Sequence, residues 1–199
     1  MGREYVDFHL SKFDSKVAET LVSLGFKHAC TTDYSNLGQV SGLSVYRKAV
    51  LEARSRTEIL QRLRALANNV LAAVKPLTRE ALIVAARDKR VATVVVHGEI
   101  AELDRHVVEV LDNHLEITMA EVVEAFSDLR RWRNLQSLCR NAAKFELPMV
   151  ISSGAMSAEE VMPPTQLAYV VSALKDEPTP DLEAISTVPL KLLREKLER

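Results

Sequence analysis

Asp7 and His9 stand two residues apart in Val-Asp-Phe-His. Alternate side chains on a β-strand share a face, so this pair could offer a carboxylate and an imidazole to one metal ion, as the pattern DxHxH does. The next ligand of that pattern is missing, because position 11 is Ser11, and His28, His97, His106 and His114 form no HxH or HExxH pair. The other reading of Asp7 and His9 is a hydrogen-bonded strand pair. Nucleophile signals are weaker. There is no GxSxG elbow, and Cys139 lies among apolar neighbours at helical spacing, where a cysteine is usually inert packing. The glycines at 2, 25, 38, 42, 98 and 154 fit neither GxGxxG nor GxxxxGK[ST], which removes dinucleotide and P-loop chemistry. No catalytic residue is assigned.

Two other stretches could bind. In SDLRRWRNLQSLCRNAAK five basic residues face one acidic residue. At about 100° per residue, Arg130, Arg133, Ser137, Arg140 and Lys144 fall within roughly 80° of one another, while Leu129, Trp132, Leu135, Leu138, Cys139, Ala142 and Ala143 take the opposite side. One face therefore packs and the other is a basic stripe. It is either an ordinary solvated helix face or a surface for phosphates or an acidic partner. In PMVISSGAMSAEEVMPP an apolar strand ends at Ser152, Ser153 and Gly154, where hydroxyls and free amides could cradle an anion or merely satisfy the end of the strand.

The elements that would position these groups follow from hydrophobic spacing. Short apolar or β-branched bursts alternate with segments of helical period. Strands are expected at 4–9, 27–32, 44–53, 70–74, 91–96, 115–122, 149–153 and 184–188. Helices are expected at 14–24, 56–68, 78–89 with Thr78 as N-cap, 104–113, 127–144 capped by Ser127, 163–174 opened by Pro163 and Pro164, and from Pro189 onward. Residues 32–42 and 176–181 read as loops. Runs 91–96 and 149–151 should be wholly buried.

Eight βα units average about 25 residues, near the lower limit for a crossover, and no composition break marks a boundary. The expectation is one compact (β/α) barrel of parallel strands over residues 1–199, with an open doubly wound sheet as the alternative. Ligands meet such a barrel at the C-terminal ends of its strands, which here offer His9, Thr31, Thr32, Arg54, Lys75, His97, Ser152, Ser153 and Ser186. The candidates for contact with a polyanion or a partner protein are Arg130, Arg133, Arg140, Lys144, Ser152, Ser153, Arg54 and Lys75.

With 26 Lys+Arg against 27 Asp+Glu, the whole chain does not announce a polyanion partner, so any basic surface is local. Cys30 and Cys139, 109 residues apart and without a CxxC, make a disulfide framework or zinc knuckle improbable, and the expectation is a reducing, cytoplasmic location. The apolar runs are far short of the roughly 20 residues of a membrane helix, so no membrane partner is expected.

ISSGA at 151–155, preceded by LRRWRNLQSLCRNAAKFELP and followed by Pro-Pro and an apolar helix, resembles the archaeal ribonuclease P protein component 3 family, relatives of the thirty-kilodalton subunit of the nuclear enzyme. YVDFHL, LGF at 24–26, VATVVVHGEIAELDRHV and AISTVPLKLLREKL extend the likeness collinearly. The resemblance implies a TIM-barrel-like fold related to the polymerase and histidinol phosphatase barrels, without their complete ligand set. It also implies a protein subunit of the RNA-based endoribonuclease that removes the 5′ leader of precursor tRNA. The RNA would carry catalysis and bind the Mg²⁺, leaving this chain no cofactor of its own. Its partners would be the ribonuclease P RNA and protein component 2, as a heterotetramer, with precursor tRNA as substrate of the whole particle. A metal-dependent phosphoesterase on the same barrel is the alternative.

Overall fold

The computed structural model describes residues 2–35, 40–99 and 103–197. Gly38 of the expected 32–42 loop and residues 100–102 of the VATVVVHGEIAELDRHV stretch lie outside them.

Seven strands, β1 (Tyr5–Leu10), β2 (Phe26–Thr31), β3 (Ser44–Ala53), β4 (Val70–Pro76), β5 (Val91–Val95), β6 (His114–Thr118) and β7 (Met149–Ser152), form one sheet in chain order. Every neighbouring pair is parallel. The sheet curls until its ends meet. Leu10 bridges Ala155, the amide of Gly154 donates to the His9 carbonyl at 2.8 Å, and the amide of Ser11 donates to the Ala155 carbonyl at 2.9 Å. The result is a nearly closed TIM-barrel-like (β/α) fold, as the strand–helix alternation predicts.

Around it lie α1 (Ser15–Ser23), α2 (Arg56–Ala65), α3 (Arg79–Arg87), α4 (Arg105–Val110), α5 (Met119–Phe126), α6 (Leu129–Lys144), α7 (Pro164–Lys175) and α8 (Thr187–Leu197). Their starts are written in side-chain oxygens. Asp14, Ser55, Thr78, Asp104, Thr118 and Asp128 each accept a backbone N–H of the first turn they cap. Pro164 opens α7, where its missing N–H costs nothing.

Strand inner and outer faces part the core in two. Val6, Phe8, Cys30, Leu71, Ala92 and Val150 gather with Leu192 and Leu193 of α8, while the larger cluster, including Val94, Ile117 and Ile151, packs toward the other helices. Val91 to Val96 and Met149 to Ile151 are buried throughout, as their continuous apolar character predicts.

Four expectations are corrected. The strand expected at 115–122 ends at Thr118, whose hydroxyl accepts the Glu121 amide at 3.2 Å and turns residues 119–126 into α5. Ser127 closes α5 instead of opening the next helix, and Asp128 is the N-cap of α6. The eighth strand does not form. Residues 183–185 are a 3-10 turn, and α8 begins at Thr187 rather than Pro189. Local polar bonds win there: the Asp181 carboxylate accepts the Ala184 amide at 3.1 Å, and the Ser186 hydroxyl donates to the Leu182 carbonyl at 2.5 Å.

Candidate functional site: the barrel centre and the α5–α6 face

The barrel centre is polar. Lys48 on β3 and Glu116 on β6 are both fully buried, and the Lys48 ammonium donates to Glu116 Oε1 at 2.5 Å, to Oε2 at 2.6 Å and to the Phe8 carbonyl at 2.9 Å. It also stands 4.6 Å from the centre of the Phe8 ring. Thr93 and Ser152 donate their hydroxyls to the same carboxylate at 2.6 and 3.3 Å. Burial works against the Glu116 charge, but the ammonium of Lys48 and the nearby His9 outweigh it and hold its pKa down at about 2.

Asp7 and His9 edge this cluster. Asp7 accepts the Ser153 amide at 3.1 Å and the His9 amide at 3.3 Å through Oδ1, while Oδ2 has no hydrogen-bond partner. Burial raises the Asp7 pKa, opposed by the bonds from Ser153 and by His9. His9 Nδ1 lies 3.4 Å from Glu116 Oε1 without hydrogen-bond geometry. Asp7, His9 and Glu116 are therefore neighbours, but they do not fit a metal. Both oxygens of Glu116 are taken by an ammonium group, which a cation would have to displace, and no group of three donors with ligand geometry occurs among the described residues.

A carboxyl whose pKa is raised on folding favours the folded state at low pH and loses that advantage as pH rises through its folded value. Asp7→Asn removes this titration. Its stability relative to the natural protein is expected to improve between pH 4 and pH 7, read by urea unfolding at several pH values. A difference that stays constant with pH would show that Asp7 is not held in its neutral form.

Strand ends do not form the anion cradle that the Ser-Ser-Gly turn could have offered. Ser152 and Ser153 are buried, the Ser153 hydroxyl accepts the Ala155 amide at 3.1 Å, and the Gly154 amide is spent on His9, so the turn offers no free donor. Thr31 and Thr32 both donate to the Leu10 carbonyl, at 3.3 Å each. His97 is buried with Nε2 2.8 Å from the Pro76 carbonyl, and Ser186 is buried too.

Arg54 is exposed. Lys75 lines a cavity of about 180 Å³ with Glu52, His97, Glu99, Glu121, Glu124 and Arg131. It pairs with Glu121 at 2.5 Å and lies 3.8 Å from Glu52. Partial burial of Lys75 opposes its charge, but the bond to Glu121 and the field of the surrounding glutamates prevail and raise its pKa. A mouth lined by these glutamates, with its cations already paired, is a poor seat for a phosphate group.

On α6, Arg130, Arg133, Arg140 and Lys144 are exposed along one face, where the spacing puts them. Arg140 is bound to Asp176 at 2.5 Å, and Lys144 lies 5.8 Å from the centre of the Phe145 ring. Arg130 and Arg133 have no ion pair among the described residues. The packing side is corrected at its N-terminal end. Leu135, Leu138, Cys139 and Ala142 are buried, but Leu129 is 63 % exposed and Trp132 only half-buried, stacked on Phe126 at 4.4 Å. The start of α6 meets the barrel through the Arg131 backbone, which lies against Gly98, and through Asn134, which donates to the Gly98 carbonyl at 3.0 Å, so Leu129 is left outside the packed side.

No protein-family model matches the chain, and no curated protein sequence matches it. Solved structures share its fold. A chain of archaeal ribonuclease P, in its cryo-EM structure with mature tRNA, has a TM-score of 0.74 and 15 % identity, over 97 % of this chain and 90 % of that one. The crystal structure of an uncharacterised protein gives 0.63 and 12 %, over 98 % and 75 %. Histidinol phosphate phosphatase of Lactococcus lactis, crystallised with zinc, L-histidinol and phosphate, gives 0.53 and 13 %, over 94 % and 97 %. At these identities the likeness is one of fold, and it places the chain among TIM-barrel-like proteins that include both a ribonuclease P protein and a phosphatase.

Proposed function

We propose that this chain is a non-catalytic protein subunit of ribonuclease P, the counterpart of archaeal protein component 3. The observation that carries the reading is the fold match along nearly the whole of both chains to a protein of the archaeal particle. Two features of the barrel support it. A lysine sits on the central glutamate and takes both oxygens that a metal would need, and the mouth is lined by carboxylates with its cations already paired. In this reading the RNA supplies catalysis and its Mg²⁺, and the chain acts through component 2 and through local contacts to RNA. A net charge of −1 favours a role dominated by the protein partner.

Reconstitution with cognate ribonuclease P RNA and the remaining proteins tests this. Adding the chain is expected to raise processing of precursor tRNA, the chain alone is expected to be inactive, and His9→Ala is expected to keep reconstituted activity within a few-fold. Arg130→Ala and Arg133→Ala each lower the slope of log K against log salt by roughly 0.7 to 0.9 if they touch phosphates. Cleavage by the chain alone, or loss of processing in a folded His9→Ala protein, would establish the phosphoesterase reading instead.

A further inference from the structure

We propose that the corner between α5 and α6 is a docking surface for a partner protein that presents an apolar strip edged by carboxylates. Val123, Phe126 and Leu129 are 63 %, 66 % and 63 % exposed. They are contiguous. Val123 and Phe126 are one helical turn apart on α5, the Phe126 ring stacks on Trp132 at 4.4 Å and 17°, and Trp132 is one turn from Leu129 on α6. Outer helices of a barrel ordinarily turn polar residues to water, so four large apolar side chains in one ridge mark a surface that another molecule covers.

Charge selects the kind of molecule. The α6 arginines away from the ridge are answered within the chain, Arg131 by Glu99 and Glu124 and Arg140 by Asp176. Arg130 and Arg133, which flank Leu129, have no ion pair among the described residues. Two carboxylates of this corner are already engaged: Glu124 holds Arg131, and Asp128 accepts the amides of Arg130 and Arg131. Two uncompensated cations beside an apolar ridge complement carboxylates at the rim of an apolar strip. RNA fits less well. Val123 and Leu129 gain by losing water against other apolar side chains and gain nothing from phosphates, and the two rings are stacked on each other instead of standing open to bases.

The ribonuclease P reading enters only through the choice of probe, recombinant protein component 2. The intact chain and its variants would be titrated with component 2 and, separately, with ribonuclease P RNA. Phe126→Glu combined with Leu129→Glu is expected to weaken component 2 at least tenfold, and Val123→Glu, which leaves the ring stack untouched, several-fold. Arg130→Ala with Arg133→Ala should weaken it several-fold and flatten its salt dependence. Tyr169→Glu, at an exposed position on α7, should change nothing. RNA affinity of the apolar variants should hold, and circular dichroism reports their folding. If the natural chain binds component 2 and both Glu variants bind it equally well, the surface is wrong while the functional reading stands. Loss of RNA affinity alone assigns the ridge to RNA and overturns the proposal. If the natural chain binds neither component 2 nor RNA, the functional reading falls and takes this occupant with it.

Discussion

Lys48→Met is expected to destabilise the protein by about 3–5 kcal/mol, because it strands the Glu116 carboxylate at the centre of the barrel with its ammonium partner gone. The methionine fills most of the volume, so the loss is electrostatic rather than a cavity. Thr93 and Ser152 still donate to Glu116, but two hydroxyls do not replace an ammonium group that touches both oxygens. In the natural protein the depressed pKa of Glu116 contributes stability that is present above about pH 4.5 and lost as pH falls toward 2. The variant should reverse that dependence, losing most at neutral pH and recovering as Glu116 takes up a proton. Lys48→Met with Glu116→Leu should regain most of the loss, since a buried ion pair can often be exchanged for apolar packing. Urea unfolding at pH 4 and pH 7 reads all three effects. A loss below about 1 kcal/mol in the single variant at pH 7 would mean that the pair is not buried as described.

That pair is also where the sequence is hardest to read. Strands β4, β5 and β7 follow from the sequence nearly to the residue, because an apolar run that short between turn signals fits a buried strand better than a helix. Lys48 and Glu116 do not stand out, since Lys48 is one of three charged residues in β3, with Arg47 and Glu52, and Glu116 is one glutamate in a short strand. The lone glutamate in His-Leu-Glu-Ile-Thr is the available clue, for a charge inside a two-faced buried strand must have a partner. The misplaced eighth strand has the opposite cause. Ala-Ile-Ser-Thr-Val has strand-like residues, but the Asp181, Ser186 and Pro189 side chains favour a turn and a helix start over a strand. Exposure of Leu129 is not legible in periodicity, which fixes a helix face but not which of its positions a neighbouring element covers.

The ISSGA segment acquires a different meaning in three dimensions, and Gly154→Ala tests it. Rather than a ligand cradle, these residues are the seam that closes the barrel: Ser152 reaches Glu116, the Ser153 amide reaches Asp7, and the Gly154 amide reaches the His9 carbonyl. The backbone at Gly154 has φ +68°, where an L-residue costs about 1–2 kcal/mol. An added Cβ would also lie 3.2 Å from the Cβ atoms of Thr118 and Ala120, the former being both the last residue of β6 and the cap of α5. The expected destabilisation is roughly 2–3 kcal/mol, the strain of the positive φ together with the push against β6. Gly25 provides the comparison. Its φ is +89° but nothing stands within 4 Å of an added Cβ, so Gly25→Ala should cost only the backbone strain, about 1–2 kcal/mol. Hydrogen exchange should show faster opening at Ser11, Ser153 and Gly154 in the Gly154→Ala protein and not in the Gly25→Ala protein. Equal costs at the two glycines, with unchanged exchange at the seam, would mean that β7 and β1 are not held together by this turn.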